Sequence, residues 1–192
     1  KPYHHQAPKV EVMTGNLQNK SCSLNQWEAH HIDDLPGQSV FITSEDIDLD
    51  GDQDIITGGW WYENPGEMGQ RWQRHTIGQP LNNMAKVYDF DRDGDPDILG
   101  TKGKGSEANH EFVWAENNGA GDFTIHRNIH YTGKGDFLQG CTAISHEGQS
   151  HVILSWHAGE DRVMALKVPR KPVERSWKTI KISDKTLEED LS

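Results

Sequence analysis

The apolar residues of this chain fall in short stretches, and turn residues separate many of the stretches. Runs rich in β-branched and aromatic residues, many bounded by Gly, Asn or Pro, include IITGGWWYE, DILGTKG, HVILSW and VMALKV. Such runs between turn signals indicate β-strands. No stretch repeats its apolar residues with the period near 3.6 that indicates an amphipathic helix. The pattern therefore predicts an all-β protein.

Two short elements recur along the chain in a fixed order. The first is an aromatic residue followed by histidine and isoleucine, in Trp27-x-x-His30-x-Ile32, Trp72-x-x-His75-x-Ile77 and Phe123-x-x-His126-x-x-Ile129; a fourth copy, Trp177-x-x-Ile180-x-Ile182, lacks the histidine. The second is the turn WWYENPG at 60–66 and VWAENNG at 113–119. The aromatic anchors lie 45, 51 and 54 residues apart, which is the range of β-propeller blades.

Between these elements, two acidic segments place aspartate at every second position. DIDLDGDQDI begins at residue 46 and DFDRDGDPDI begins forty-three residues later, at residue 89. Positions 1, 3, 5, 7 and 9 are Asp46, Asp48, Asp50, Asp52 and Asp54 in the first, and Asp89, Asp91, Asp93, Asp95 and Asp97 in the second. Gly51 and Gly94 stand at position 6, where a sharp turn needs a positive φ. Ca²⁺ takes about 6–8 oxygen ligands, so each segment predicts one calcium site.

We expect side-chain oxygens from positions 1, 3, 5 and 9 and a backbone carbonyl from position 7, which leaves the side chains of Asp52 and Asp95 free. An EF-hand would carry Glu at position 12 and continue as a helix. Here position 12 is Thr57 or Gly100 and strand-like residues follow. Magnesium suits such a cage less well, because it keeps several waters. A solvated acidic turn without an ion is the alternative.

Composition limits the setting of these segments. The 192 residues suffice for one domain that buries roughly 70% of its unfolded surface. Of 30 acidic residues, ten lie in the two segments, and the remaining 20 nearly balance 19 basic residues, so the charge of −11 is local. Without a Lys/Arg stripe we expect no nucleic-acid partner, and without a long apolar run no membrane span. Cys22 and Cys141 could form one bridge or remain free thiols.

The pattern D-x-D-x-D-G-D-x-D-[IL] leading into a strand resembles the calcium loops of FG-GAP and VCBS-type repeats, which build β-propellers. The tryptophan elements are similar to repeats in propellers of aldos-2-ulose dehydratase and of polysaccharide lyases. The resemblance covers residues 27–182. It implies two calcium ions, an extracellular location and about three to four blades of four-stranded antiparallel sheets, forming an arc of a larger or assembled propeller. Residues 1–26 would lead in from a preceding blade, and 183–192 would be the truncated start of the next repeat.

The third repeat departs from the acidic pattern. Where an aspartate segment should fall the chain reads AISHEGQSHVIL, residues 143–154, and no calcium is expected there. His146 and His151 could bind a softer metal, but two histidines without a third ligand are typical of a surface. Because His30, His75 and His126 occupy the same repeat position, a structural role is expected for them, and the anchors Trp27, Trp72 and Trp177 are expected to pack between blades.

Candidate ligand-binding residues are less distinctive. The insertion TKGKGSEANHEF, 101–112, is absent from the first repeat, and insertions in repeat proteins often form loops on the binding face. The candidates are Lys102, Lys104, His110, Tyr131 and His157. No catalytic residue is assigned. The sequence favours a calcium-stabilised extracellular module that binds a protein or carbohydrate partner, further blades or a second copy; the alternative is part of a carbohydrate-active enzyme of the lyase or dehydratase type.

Overall fold

The computed structural model describes residues 29–34, 39–67, 69–105, 107–159 and 162–182. The chain divides into two compact units, residues 1–31 and 32–192, and every element below belongs to the second. The lead-in predicted for 1–26, the aromatic anchor Trp27 and the partial repeat predicted for 183–192 lie outside the described residues.

Within these ranges all regular secondary structure is β, in thirteen strands and three sheets, which confirms the all-β class. Sheet 1 has the antiparallel order β1-β2-β3-β4, formed by Ile42–Glu45, Asp54–Thr57, Trp60–Glu63 and Gln73–Thr76. Sheet 2 has the antiparallel order β5-β6-β7-β8, formed by Asn83–Tyr88, Asp97–Thr101, Phe112–Asn117 and Phe123–His126.

Sheet 3 adds one strand to the same plan, in the order β10-β11-β12-β13-β9. The short strand β9, Ile129–His130, pairs in parallel with β13, whereas the other four strands are antiparallel neighbours. Those four are Leu138–His146, Gln149–Trp156, Val163–Lys167 and Trp177–Lys181.

The repeated sequence elements fall at matching places in sheets 1 and 2. Each aspartate segment joins the first strand to the second, and its position-9 aspartate is the first residue of the second strand. Asp54 pairs with Glu45, and Asp97 pairs with Tyr88. The W-x-E-N element lies on the third strand, and the aromatic-x-x-His element supplies the fourth. The sequence repeat is thus a structural repeat of one four-stranded sheet.

Sheet 2 is covered on both faces, because its alternate residues enter two different cores. Ile98 and Val113 pack with residues of sheet 1, including Ile56 and Trp61. Leu99 and its neighbours on the other face pack with residues of sheet 3 in a second cluster, which includes Phe112, Trp114, Val152, Leu154, Leu166 and Trp177. Strand β6 is consequently buried at all five positions. Burial on both faces explains why apolar residues stand side by side in DILGT rather than alternating with polar ones.

Candidate metal centre

Asp loop 1, residues 46–54, gathers three carboxylates near its start. Asp46, Asp48 and Asp50 each offer an oxygen, and these oxygens lie within 4.8 Å of one another. Asp loop 2, residues 89–97, gathers oxygens of Asp89, Asp91 and Asp97 within the same distance. Each loop therefore brings carboxylates from alternate sequence positions to one point, as a metal site requires.

Backbone geometry curls both loops in the same way. Gly51 and Gly94, at position 6, have φ values of 102° and 106°, which confirms the turn predicted for them. Position 4 is also left-handed, with φ of 59° at Leu49 and 71° at Arg92. The sequence did not predict this second reversal, because neither residue favours positive φ. The two reversals turn successive aspartates toward the inside of the loop.

The aspartate at position 9 holds each loop to its sheet. Asp54 Oδ2 accepts the N–H of Ile47 at 2.9 Å and Oδ1 accepts the N–H of Asn64 at 2.9 Å. Asp97 makes the matching bonds with Phe90 at 2.9 Å and Asn117 at 3.0 Å. Position 9 thus closes the loop through backbone amides, and each of its oxygens keeps a lone pair for a ligand.

Position 7 places carboxylate oxygens out of contact with water. The Oδ1 atoms of Asp52 and Asp95 are buried and accept no hydrogen bond within the described part of the chain, and the same is true of Asp46 Oδ1. Asp95 is only 9% exposed. A buried carboxylate oxygen without a donor is costly, so these atoms also fit a cation. The expectation that position 7 uses its backbone carbonyl stays a prediction.

Burial, together with the crowding of like charges, raises the pKa of most of these carboxyl groups. Burial raises the pKa of Asp97 to about 8, and the nearby charges of Asp91 and Asp93 add to the shift. Burial and the charge of Asp93 likewise raise the pKa of Asp91 to about 6, and burial and the contact with Asp93 raise that of Asp95 to about 6. In loop 1 the pKa values of Asp48, Asp52 and Asp54 rise, with burial as the largest cause. A bound divalent cation would favour the ionised carboxylates and so lower these pKa values.

The glutamate of the W-x-E-N element lies close enough to each loop to contribute to its field. The charge of Glu63 raises the pKa of Asp48, and that of Glu116 raises the pKa of Asp91. Glu63 Oε2 lies 2.8 Å from Nε2 of His75. The repeated W-x-E-N and histidine elements were the signals that could have placed these residues beside the site, but the sequence assigned no role to the glutamates and only a structural role to the histidines.

The third repeat has a tight hairpin in place of an Asp loop. His146 pairs with Gln149 across β10 and β11, so only Glu147 and Gly148 form the turn. Their φ values of 50° and 71° are those of a two-residue hairpin turn. Such a turn is too short to wrap an ion. Because Ile144 pairs with His151, the side chains of His146 and His151 are diagonal neighbours on one face of the sheet.

The candidate ligand-binding residues lie at the opposite end of the sheets from the Asp loops. Lys102, Lys104 and His110 belong to the connection from β6 to β7, whereas Asp loop 2 connects β5 to β6. The ring centroid of His110 lies 5.9 Å from that of Tyr131. His157 follows β11, and its Nδ1 lies 3.1 Å from Asp136 Oδ2.

Backbone hydrogen bonds and one ion pair connect the other residues at this end of the sheets. The N–H of Asn109 donates to the carbonyl of Asp136 at 3.2 Å and links the insertion to the segment that bonds His157. Lys102 pairs with Glu111 at 3.1 Å. Lys104 is exposed, and its backbone N–H donates to a carboxylate oxygen of Glu107. The structure therefore brings His110, Tyr131 and His157 to one region and leaves the two lysines on its surface.

Comparison of the chain with protein-family models, with curated proteins and with solved structures gives no match. Within the described ranges, no helix has the length and apolar character needed to cross a membrane.

Proposed function

We propose that this chain binds two calcium ions, one in each Asp loop, and that the ions stabilise a β-propeller module used for binding or assembly outside the cell. The observation that carries the proposal is the duplication of one loop design. In both loops, three carboxylates meet at one point and the backbone has positive φ at positions 4 and 6. Both loops also bury a position-7 carboxylate oxygen that has no hydrogen-bond donor among the described residues.

The residues nearest to an ion would be Asp46, Asp48 and Asp50 in loop 1, and Asp89, Asp91 and Asp97 in loop 2. When bound, the ion supplies positive charge that offsets the repulsion between these carboxylates. The metal-ligand atoms that these residues offer are all oxygens, without the thiolate or imidazole that zinc and copper favour. A loop that offers several carboxylates suits calcium better than magnesium, which demands near-octahedral geometry and keeps several waters.

The sheet repeat supports a propeller arrangement. Three consecutive sheets follow one another along the chain, each with four antiparallel strands and the third with the short parallel strand β9 in addition, and sheet 2 packs face to face with both neighbours. Propeller blades are four-stranded sheets of this kind. An extracellular location suits such a module, because extracellular calcium modules bind with dissociation constants of about 10⁻⁴–10⁻³ M and are filled only in a calcium-rich medium.

Calorimetric titration of the metal-stripped chain with calcium tests the proposal. We expect two sites, one site after Asp50→Ala, and none after Asp50→Ala combined with Asp93→Ala. Asp136→Ala is a matched control, since it removes a carboxylate at the other end of sheet 3. The loops would be solvated acidic turns if the unaltered chain gave no heat of binding, or if the heat persisted in the double variant.

A carbohydrate-active enzyme is the second candidate, and the Asp136–His157 pair favours it. Asp136 accepts the N–H of Ala158 at 2.7 Å and contacts Nδ1 of His157, whose side chain is 65% exposed. An imidazole oriented by a carboxylate can act as a general base. Incubation with uronate-containing polysaccharides should then give an unsaturated, ultraviolet-absorbing product that is lost in His157→Ala. Absence of product from the unaltered chain would reject this candidate.

A further inference from the structure

Asn117 connects the two Asp loops through hydrogen bonds made by its backbone and its side chain. Its backbone N–H donates to Asp97 Oδ1 at 3.0 Å, and Asp97 Oδ2 accepts the N–H of Phe90 at 2.9 Å. Asn117 is 3% exposed, and its bond to Asp97 holds it against Asp loop 2.

The side chain of the same residue reaches into Asp loop 1. Asn117 Nδ2 donates to the carbonyl of Ile47 at 2.8 Å, across 70 residues of sequence. Ile47, at position 2 of that loop, is fully buried, and its own N–H donates to Asp54 Oδ2 at 2.9 Å. One unbroken series of hydrogen bonds thus runs from Asp54 through Ile47 and Asn117 to Asp97.

A second contact joins the loops beside this series. Gly119 follows Asn117 in the W-x-E-N turn, and a Cβ placed on it would lie 3.1 Å from Asp95 Oδ2 and 3.3 Å from Leu49 Cδ1. Leu49 is the left-handed residue of loop 1, and Asp95 is the buried position-7 residue of loop 2. The turn 117–119 therefore contacts both loops at once.

Asn64 provides an internal comparison. Its backbone N–H donates to Asp54 and its Nδ2 donates to the carbonyl of Gln53 at 3.0 Å, as Asn117 Nδ2 does to Pro96 at 3.2 Å. Within the described residues, Asn64 makes no bond to a second Asp loop. Asn117 thus has the same local role as Asn64 and a bridging bond in addition.

We infer that Asn117 couples the two loops, so that an ion bound in one loop raises the affinity of the other. The inference rests on the proposed calcium binding. Filling loop 1 fixes the Ile47 carbonyl, which orders Asn117 and, through it, the Asp97 carboxylate of loop 2. The second ion then meets a loop that is already ordered, and by linkage the effect is the same in either direction.

The test is calorimetric calcium titration of four metal-stripped chains: unaltered, Asp50→Ala to disable loop 1, Asn117→Ala, and the two changes combined. Disabling loop 1 should weaken calcium binding at loop 2 by roughly five-fold or more, the lower end of typical allosteric coupling. With Asn117→Ala present, the same change should weaken it by less than about two-fold. Asn64→Ala is the control that loses a local loop bond and keeps the coupling.

The outcomes separate the coupling from calcium binding itself. If the unaltered chain binds no calcium, the proposed function fails and the coupling fails with it. If it binds two ions but disabling loop 1 leaves loop 2 unchanged, or if Asn64→Ala removes the coupling as fully as Asn117→Ala, the coupling alone is wrong.

A measurement that keeps Asn117 intact covers the case in which its substitution prevents folding. In Asp93→Ala, where only loop 1 can bind, calcium should slow hydrogen exchange at the amides of Phe90 and Asn117, which donate to Asp97. Exchange at these amides that does not change on adding calcium overturns the inference.

Discussion

The imidazole of His126 lies stacked on the indole of Trp114, with 4.6 Å between the ring centroids and 24° between the ring planes. The two residues are opposite one another on β8 and β7, and Nε2 of His126 lies 2.7 Å from Glu116 Oε2. Sheet 1 repeats the arrangement, with His75 on Trp61 at 4.3 Å. The histidine thus fixes the fourth strand to the third in both sheets.

Replacing His126 should therefore destabilise the fold without touching a carboxylate of the Asp loops. His126→Ala should lower the free energy of unfolding by about 1–3 kcal/mol, since aromatic pairs contribute about 0.5–1.5 kcal/mol and a hydrogen bond a similar amount. His126→Phe should lose less, because it keeps the ring and removes only the bond to Glu116. Urea denaturation measures both. Equal losses in the two variants would show that the stack contributes nothing.

The sequence predicted a structural role for these histidines from their repetition alone, and the stacking agrees with that role. The prediction did not say where they pack, and the structure places His75 and His126 within their own sheets against cross-strand tryptophans. Packing between sheets comes instead from Trp177, whose ring centroid lies 5.0 Å from that of Phe90 and 5.7 Å from that of Trp114. Periodicity identifies a repeated position but does not say which face of a strand it occupies.

Calcium should stabilise the folded chain by mass action, because the folded loops are arranged for the ion and the unfolded loops are not. At calcium concentrations about 100 times the dissociation constant, each site would add about 2.7 kcal/mol. Thermal unfolding followed by circular dichroism should show a lower Tm with chelator present. The variant that combines Asp50→Ala and Asp93→Ala should unfold at the same temperature with and without chelator. Identical melting curves for the unaltered chain in both conditions would contradict the prediction.

Without calcium, stability should fall as the pH rises. The folded pKa of Asp97, about 8, lies above its unfolded value of about 3.9, so the folded chain holds this proton more tightly. Its contribution to stability is fully present below a pH of about 4 and is lost as the pH rises through about 8. Asp91 and Asp95, each with a pKa of about 6, add to the decline in the lower half of this window.

Urea unfolding of the metal-stripped chain at several pH values across this window measures the slope. Asp97→Asn should flatten it in the upper half, because the group with the highest pKa no longer titrates. Saturating calcium should reverse the slope, since the ion favours the ionised carboxylates. A metal-free chain that gains stability with rising pH would show that the carboxyl groups are not destabilised in the fold.

The Asp loops were the strongest signal in the sequence, yet the motif did not predict all of their geometry. Alternation predicted which aspartates share a loop, and the glycine predicted its turn. The left-handed Leu49 and Arg92 have no sequence signal, because only the surrounding structure holds such residues at positive φ. The bridge from Asn117 to Ile47 joins residues 70 apart and depends on how two sheets pack.

Cys141 offers a test of the sheet 3 packing that is independent of the loops. The residue is a free thiol on β10, packed against the core shared by sheets 2 and 3, and burial raises its pKa to about 12 despite the opposing charge of Lys86. In a Cys22→Ser variant, which leaves one thiol, alkylation at pH 8 should be slow until denaturant unfolds the chain. Reaction as fast as that of a free cysteine would show that β10 is not packed as described. Cys22 itself lies outside the described residues.

The outer face of sheet 3 leaves several apolar side chains in contact with water. Strand register places Ile144, Ile153, Val163 and Ile180 on this face, opposite the buried Val152, Leu154 and Leu166. Ile144, Val163 and Ile180 are 45%, 41% and 39% exposed. Exposed apolar patches on a sheet commonly mark an interaction surface. In sheet 2 the corresponding face is covered by a neighbouring sheet.

We therefore expect the chain to associate through this face, either with another sheet of the same repeat or with a second copy. Contact between sheet 3 of one copy and sheet 1 of the next would be heterologous, which gives a ring if the rotation closes and a filament if it does not.

Light scattering after size-exclusion chromatography should show a mass that increases with concentration above 21.7 kDa. Ile180→Lys should suppress the increase, because it places a charge on this face. Val173→Lys replaces an apolar residue that is also exposed, at 44%, but lies in the turn before β13, and it should leave association unchanged. A monomer at every concentration, with cooperative unfolding, would show that this face is stable in water, and the association would then be wrong.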